Sequence, residues 1–377
     1  MPIDLRHRPV HSLTAAVAFA ATAAAASSAH AQAPAGSVQV YGSMTAAVTT
    51  RNNQTGGDSL KELTSSLLAA SVLGFRGTED LGGGMSASFR LESVINADTG
   101  VPGATVAGNG KFWNRQSYVG LSPHRAVAFT AGRQFHAATD RVIRTLDVYN
   151  VAGTSLHVTP LGLHGTNRFF GNDSRVDDSV KVRVTGPAGL QGGASVGLDD
   201  GAGRSHSVDL ARVTERYSVA ATATRYRSPT VIAATGARPE YTLWSVGGNG
   251  RLGPVTLYVH VIDAALESTV AGRRTQDNRV VHLGAHWLAT PQWSVKAGLY
   301  DDKGKDLNGI AGRDGKKETR VLSAEHSLSR RTSLNAVVFQ NRFTDGYKLD
   351  PANIAGLNRD PGASSTRGFS AGIRHDF

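Results

Sequence analysis

The sequence predicts an all-β fold, a closed antiparallel transmembrane barrel of about sixteen strands. Three observations predict it. Apolar and polar residues alternate with period two along most of the chain, short connections alternate with long ones, and the last strand runs to Phe377 with no polar tail. Period-two alternation marks a strand with one apolar and one polar face. Bacterial barrels of the outer membrane require an even strand number and unequal connections at their two ends.

At the N-terminus, Arg6 and Arg8 precede an alanine-rich apolar stretch from Leu13 to Ala26 and the small-residue site Ala29-His30-Ala31. This is the layout of a secretory signal peptide over residues 1–31, with cleavage before Gln32, and the barrel is expected over 32–377. The apolar run is shorter than the ~20 residues a spanning helix needs, and no later stretch approaches that length. The chain has 377 residues and no Cys, so a disulfide framework, a thiol nucleophile and a thiolate metal site are excluded. The net charge is +10, and cleavage removes Asp4, Arg6 and Arg8 to leave +9. Lys and Arg are strewn singly with no basic helix or arm, which argues against nucleic acid and for attraction of anionic solutes.

The strands declare themselves in order. In 83–93, Met85, Ala87, Phe89 and Leu91 oppose Ser86, Ser88, Arg90 and Glu92; in 189–198, Leu190, Ala194, Val196 and Leu198 oppose Gln191, Gly193, Ser195 and Gly197. In 292–300, Trp293, Val295, Ala297 and Leu299 oppose Ser294, Lys296, Gly298 and Tyr300. Short connections fall at 78–83, 122–125, 186–189, 213–215, 252–253, 289–292 and 328–332. Long ones fall near 51–66, 95–111, 135–178, 199–203, 228–239, 264–278, 303–316 and 343–365. Seven turns and eight loops leave room for sixteen strands of about 9–11 residues each. A two-sheet sandwich gives no reason for every long loop to lie at one end, and lipid tolerates no open sheet edge. In the closing strand, Phe369, Ala371, Ile373, His375 and Phe377 form the outward face. Aromatic residues make up only 7% of the chain, so the girdles are thin. The stretch 353–360 reads as polar surface loop, tolerant of deletion.

The strand rhythm stops between Gln134 and Ser179. A connection of that length inside a compact domain is functional more often than not. Two of its acids, Asp140 and Asp147, sit among Arg141, Arg144, Arg168 and Arg175. The segment 135–178 is expected to fold inward and narrow the barrel.

The stretches 38-VQVYG-42, 74-GFRGTEDLGGGMSASFRLE-92, 114-NRQSYVGL-121, 131-AGRQ-134 and 371-AGIRHDF-377 together resemble the Gram-negative general diffusion porins, in the right order along the chain. The resemblance implies a homotrimer of sixteen-stranded barrels in the outer membrane of a Gram-negative bacterium, surrounded by membrane lipid and lipopolysaccharide. Each barrel would hold a water-filled pore, narrowed by the third long loop, that passes small hydrophilic solutes and ions without catalysis or cofactor. Carried over by position, the basic wall is Arg115 and Arg175, extended by Arg76 and Arg90, and the acids facing it are Asp140 and Asp147. Related porins carry a basic residue where this chain has Val72, so the implied anion selectivity is modest. Arg133 shares parity with Phe129 and Ala131 and is assigned to a subunit interface; Phe377 is assigned to barrel closure.

Four other patterns admit chemical readings. Gly193-Ala194-Ser195-Val196-Gly197 fits the nucleophile-elbow motif, but the serine lies mid-strand rather than on a strand–turn–helix corner. His282 and His286 share a strand face without the helix a zinc pair needs, so they read as lumen histidines and no metal site is assigned. Gly82-Gly83-Gly84 reads as a tight turn rather than a phosphate cradle. Asp199-Asp200 and Asp301-Asp302 read as solvated loop acids able at most to hold Ca²⁺ weakly. Two functional alternatives share the fold. A substrate-specific channel would need an aromatic or arginine track along the lumen, and the sequence displays none; a barrel hydrolase would need a Ser-His pair on the outer face.

Overall fold

The computed structural model describes residues 36–377 apart from 66–67, 102–110, 150–174, 199–202, 229–231, 233–235, 237 and 269. The expected signal segment, Asp199-Asp200 and residues 150–174 of the long connection therefore lie outside the described residues. The first strands are β1 (Ser37–Gln54), β2 (Gly57–Thr64), β3 (Val72–Gly82), β4 (Met85–Val94), β5 (Gln116–His124) and β6 (Val127–Phe135). After a short helix α1 (Ala137–Arg141) come β7 (Arg175–Thr185), β8 (Leu190–Gly197), β9 (Arg204–Val213), β10 (Tyr217–Arg227), β11 (Glu240–Leu252) and β12 (Val255–Leu266). The chain closes with β13 (Gln276–Leu288), β14 (Trp293–Lys305), β15 (Gly315–Ser327), β16 (Thr332–Phe343), helix α2 (Pro351–Leu357) and β17 (Ser365–Asp376).

Each strand pairs antiparallel with its neighbours, and β17 returns to β1, so the sheet has no free edge. Along its other side β1 pairs with β3 near its start and with β2 near its end. β2 and β3 thus share one position of the ring, which leaves the sixteen positions expected. The seven short connections fall within a few residues of where the alternation puts them, the first shortened to Gly83-Gly84 because β3 runs on to Gly82. In the first, Gly82, Gly83 and Gly84 all hold positive φ (80°, 61° and 83°), a region that side chains with a Cβ rarely enter. One long connection is corrected: most of 51–66 is strand, because β1 continues to Gln54 and β2 resumes at Gly57.

Burial inverts the pattern of a water-soluble protein. On β9, Ser205, Ser207 and Asp209 are buried while His206, Val208 and Leu210 are exposed. The same face of the sheet exposes Leu283, Leu299, Leu322, Val338 and Ile373. An apolar outer band with polar side chains gathered inside is what a lipid-embedded barrel needs.

The stretch 343–365 is a packed cap rather than a bare loop. Leu307, Phe343, Tyr347 and Leu357 cluster together, and Arg359 is fully buried. Its guanidinium lies 4.4 Å from the Phe343 ring centroid and donates to the carbonyls of Tyr347, Lys348 and Ala363. Deletions within 353–360 would therefore remove buried contacts, contrary to the tolerance expected. Asp301-Asp302 is also corrected, since both lie within β14; Asp302 is buried and accepts from Asn278 at 2.9 Å.

Candidate functional site

Small and alternating residues let the chain after β6 settle on the inner wall. The N–H groups of Ala137 and Ala138, which open α1, donate to Ser195 Oγ at 3.0 Å and Ser207 Oγ at 2.9 Å. These are inward positions of β8 and β9, so the elbow-like serine is a wall acceptor for α1. Arg141 donates to Asp209 at 2.7 Å and to Gln191 at 2.9 Å. Further along, Asp147 accepts from Tyr300 Oη at 3.0 and 3.1 Å and from the Tyr149 N–H at 2.8 Å. Tyr149 Oη donates to the Lys296 carbonyl at 2.8 Å.

Two wall glycines make room for this passage. A Cβ on Gly284 would meet Val148 at 2.7 Å, and one on Gly298 would meet Tyr149 at 2.9 Å. Every wall residue named here has the parity opposite to the exposed apolar band. The described part of the segment, 136–149, thus packs on the polar face of the sheet from β8 round to β15.

Beside it lies an opening of about 790 Å³. Six basic side chains line it, Arg90, Arg115, Arg144, Lys181, Lys296 and Arg374, against four carboxylates, Glu92, Asp140, Glu325 and Asp376. The lining therefore carries two more positive than negative charges. Val72, the empty basic position, lines it too, beside its strand partner Ser43.

Of the residues singled out from sequence, Arg90, Arg115 and Asp140 are in this lining. Asp140 does not stand opposite Arg115 with its charge open. Its carboxylate is held by Lys181 at 2.5 Å and Arg183 at 3.3 Å, both from β7. Arg183 also reaches Asp209 at 2.5 Å, so one network joins α1 to the wall. Arg115 instead pairs with Glu92 at 2.9 Å, and Gln116 and Tyr41 donate to the same carboxylate. Asp147 is buried beneath the segment and does not line the opening. Arg175 is also buried, with its guanidinium 4.6 Å from the Phe135 ring centroid; Arg115 approaches the same ring at 5.6 Å. Arg76 stands opposite Arg90 in the β3–β4 pair, donates to Gln39 and lies 4.8 Å from the Tyr41 ring, which Arg90 approaches at 5.8 Å. Arg133 keeps its outward register opposite Ser117, but donates to the Asn114 carbonyl and pairs with Asp177 at 2.8 Å within the chain.

Sequence reading missed Lys181, Arg183 and Glu325 as lining or bracing groups. Inward parity was the available signal, and it already marked Glu92 and Lys296. It also missed the stacked pairs of arginines on Tyr41 and Phe135. Among the described residues no group of three or more potential metal ligands gathers, and His282 stacks on Tyr300 at 4.5 Å.

His136, just before α1, is buried, and that burial, assisted by the charge of Lys181, pushes its pKa down to about 3. It is neutral wherever this segment stays packed.

A family model described as Gram-negative porin matches residues 12–346. The chain is 25% identical over 351 residues to outer membrane porin protein 32 of Delftia acidovorans, covering 90% of this chain and 94% of that one. Among solved structures, it resembles an anion-selective porin from Comamonas acidovorans with a TM-score of 0.76 and 22% identity, over 91% of this chain and all of the other. It also resembles a trimer form of OmpT, an outer membrane protein of Vibrio cholerae, with a TM-score of 0.65 and 14% identity. That match covers 91% of this chain and 100% of the other.

Proposed function

As the chain belongs to the Gram-negative porin family, it is an outer-membrane channel for passive diffusion of small hydrophilic solutes, and we propose that it prefers anions modestly. The excess of two positive charges around the opening carries this reading. Ions in a narrow passage sense the summed charge of its lining more than any single pair. The preference is modest because three of the six lining cations, Arg115, Lys181 and Arg374, are each paired with a lining carboxylate, and because Val72 adds none. The anion-selective porin from Comamonas acidovorans that this chain resembles supports the same sign.

In this reading residues 1–31 direct export and are removed. The channel assembles as a homotrimer in lipopolysaccharide-bearing membrane, Arg133 lies near the contact between subunits, and Phe377 helps to close the barrel. The chain is a conduit rather than a catalyst.

Recordings from purified protein in planar bilayers test the function. Conductance should rise in near proportion to KCl concentration and be unaffected by sub-millimolar organic solutes. Saturation with one solute class would replace the general channel by a selective one, and the arginine pairs stacked on Tyr41 and Phe135 make an anionic solute the first to try. Absence of conductance from folded, inserted protein would overturn the reading.

A further inference from the structure

Under the packed cap, two neighbouring lysines at the start of β15 face opposite ways. Lys316 bridges Asp301 and Glu318 at 2.9 and 2.8 Å on the outer side. Lys317 turns inward and is only 3% exposed. Its Nζ donates to Asn353 Oδ1 at 3.0 Å and lies 3.9 Å from Asp302 Oδ2. The Tyr347 ring centroid is 5.7 Å from the same nitrogen, and Tyr347 belongs to the apolar cluster with Leu307, Phe343 and Leu357.

Each member of this group is held in place. Asn353 sits in the first turn of α2, where its N–H and its Nδ2 both donate to the capping residue Asp350. That grip turns the amide oxygen toward Lys317. Asp302 stands opposite Lys317 in the β14–β15 pair and is fully buried. Asn278 donates to Asp302 at 2.9 Å and to Tyr347 Oη at 2.7 Å, fixing the carboxylate from its other side.

We propose that Lys317 and Asn353 join in an intramolecular isopeptide bond, with Asp302 taking the proton that frees the amine and ammonia leaving. The Lys317 ammonium gives one proton to Asp302, and the nitrogen lone pair attacks Asn353 Cγ. A second proton passes from the attacking nitrogen to Nδ2, which Asp350 holds. The Cγ–Nδ2 bond then breaks, and ammonia departs with the proton kept by Asp302. An ammonium and a carboxamide become a secondary amide and a free ammonium ion; nothing is oxidised or reduced, and no water is consumed.

The packing favours this reaction. A lysine stripped of water in an apolar pocket is a better nucleophile than one in solution. The carbonyl carbon lies ~1.2 Å beyond its oxygen, at most about 4.2 Å from Nζ. A shift of about 1 Å therefore brings the pair within the ~3.5 Å of an attack geometry, where groups fixed together react as though at about 10⁵–10⁸ M. The bond ties the cap to the barrel wall across 36 positions of the chain.

The test is peptide mass spectrometry of the full-length protein, purified folded from membranes and digested with trypsin. Fragment 317–320 should be joined covalently to fragment 349–359, lighter than the two together by one ammonia. Joined peptides decide rather than whole-chain mass, because Gln32, the N-terminus expected after cleavage, also loses ammonia when it cyclises. Chain kept unfolded in urea should lack the joined peptides and gain them on refolding, a result that needs no variant. Asp302→Asn should slow their appearance about a hundredfold, and Asn353→Ala should abolish them. Separate peptides from the folded protein, or joined peptides formed equally fast in Asp302→Asn, would overturn the proposal.

Discussion

At the scale of single residues, the charge pattern of the opening was half legible. Inward parity in a strand is a local property, so Arg90, Arg115 and Glu92 could be placed from their neighbours. The partner of each charge is a tertiary fact. Asp140 met Lys181 and Arg183 rather than Arg115 because α1 lies against β7 and β8, and nothing in the spacing of the chain dictates that. Two predictions belong here. Val72→Arg adds a cation to the lining, and the zero-current potential in a KCl gradient should shift toward anions; no shift at low salt would remove Val72 from the lining. His136 is neutral when packed and would bind a proton below about pH 6.5 once released. Acid therefore favours the released segment. Its packing is at full strength above pH 6.5, weakens as pH falls toward 3, and loses about 2 kcal/mol by pH 5 at ~1.4 kcal/mol per pH unit. Hydrogen exchange of residues 136–149 should accelerate between pH 7 and 5, after correction for the intrinsic rate, and His136→Gln should abolish that dependence. Flat protection over this range would contradict it.

At the scale of elements, strands and turns could be read because they repeat a two-residue rhythm and stop at glycine-rich corners. The two places that escaped the reading were packed by long-range contacts. The cap over 343–365 depends on Arg359 finding Phe343, and the passage of 136–149 depends on glycines in distant strands. Gly284→Leu or Gly298→Leu would drive a side chain into Val148 or Tyr149 and should displace the segment. Larger and noisier single-channel currents are expected, whereas unchanged currents would mean that this passage does not limit the pore. The end of the chain makes a second test. Phe377 donates to the Gly42 carbonyl at 3.0 Å and accepts from its N–H at 3.0 Å. Its deletion removes both bonds at the seam between last and first strands, and membrane insertion, followed by fractionation, should fall severalfold. Normal insertion would show that closure does not need it.

At the scale of the whole molecule, the protein is a continuous hydrogen-bonded ring with an apolar exterior and a charged interior. Such a ring opens only as a unit, so unheated protein in SDS should migrate differently from boiled protein; identical mobility would count against a closed barrel. The central claim concerns the interior: the excess positive charge of the lining sets what passes. Replacing Arg90 and Arg115 together by Glu turns an excess of two positive charges into an excess of two negative ones. The decisive measurement is the zero-current potential across a KCl gradient for the unsubstituted channel and for R90E/R115E. The unsubstituted channel should prefer chloride and the variant potassium. The difference should shrink as the screening length falls from about 10 Å at 0.1 M to about 3 Å at 1 M salt. A channel that prefers potassium before substitution, or a potential indifferent to the substitution at low salt, would contradict the account.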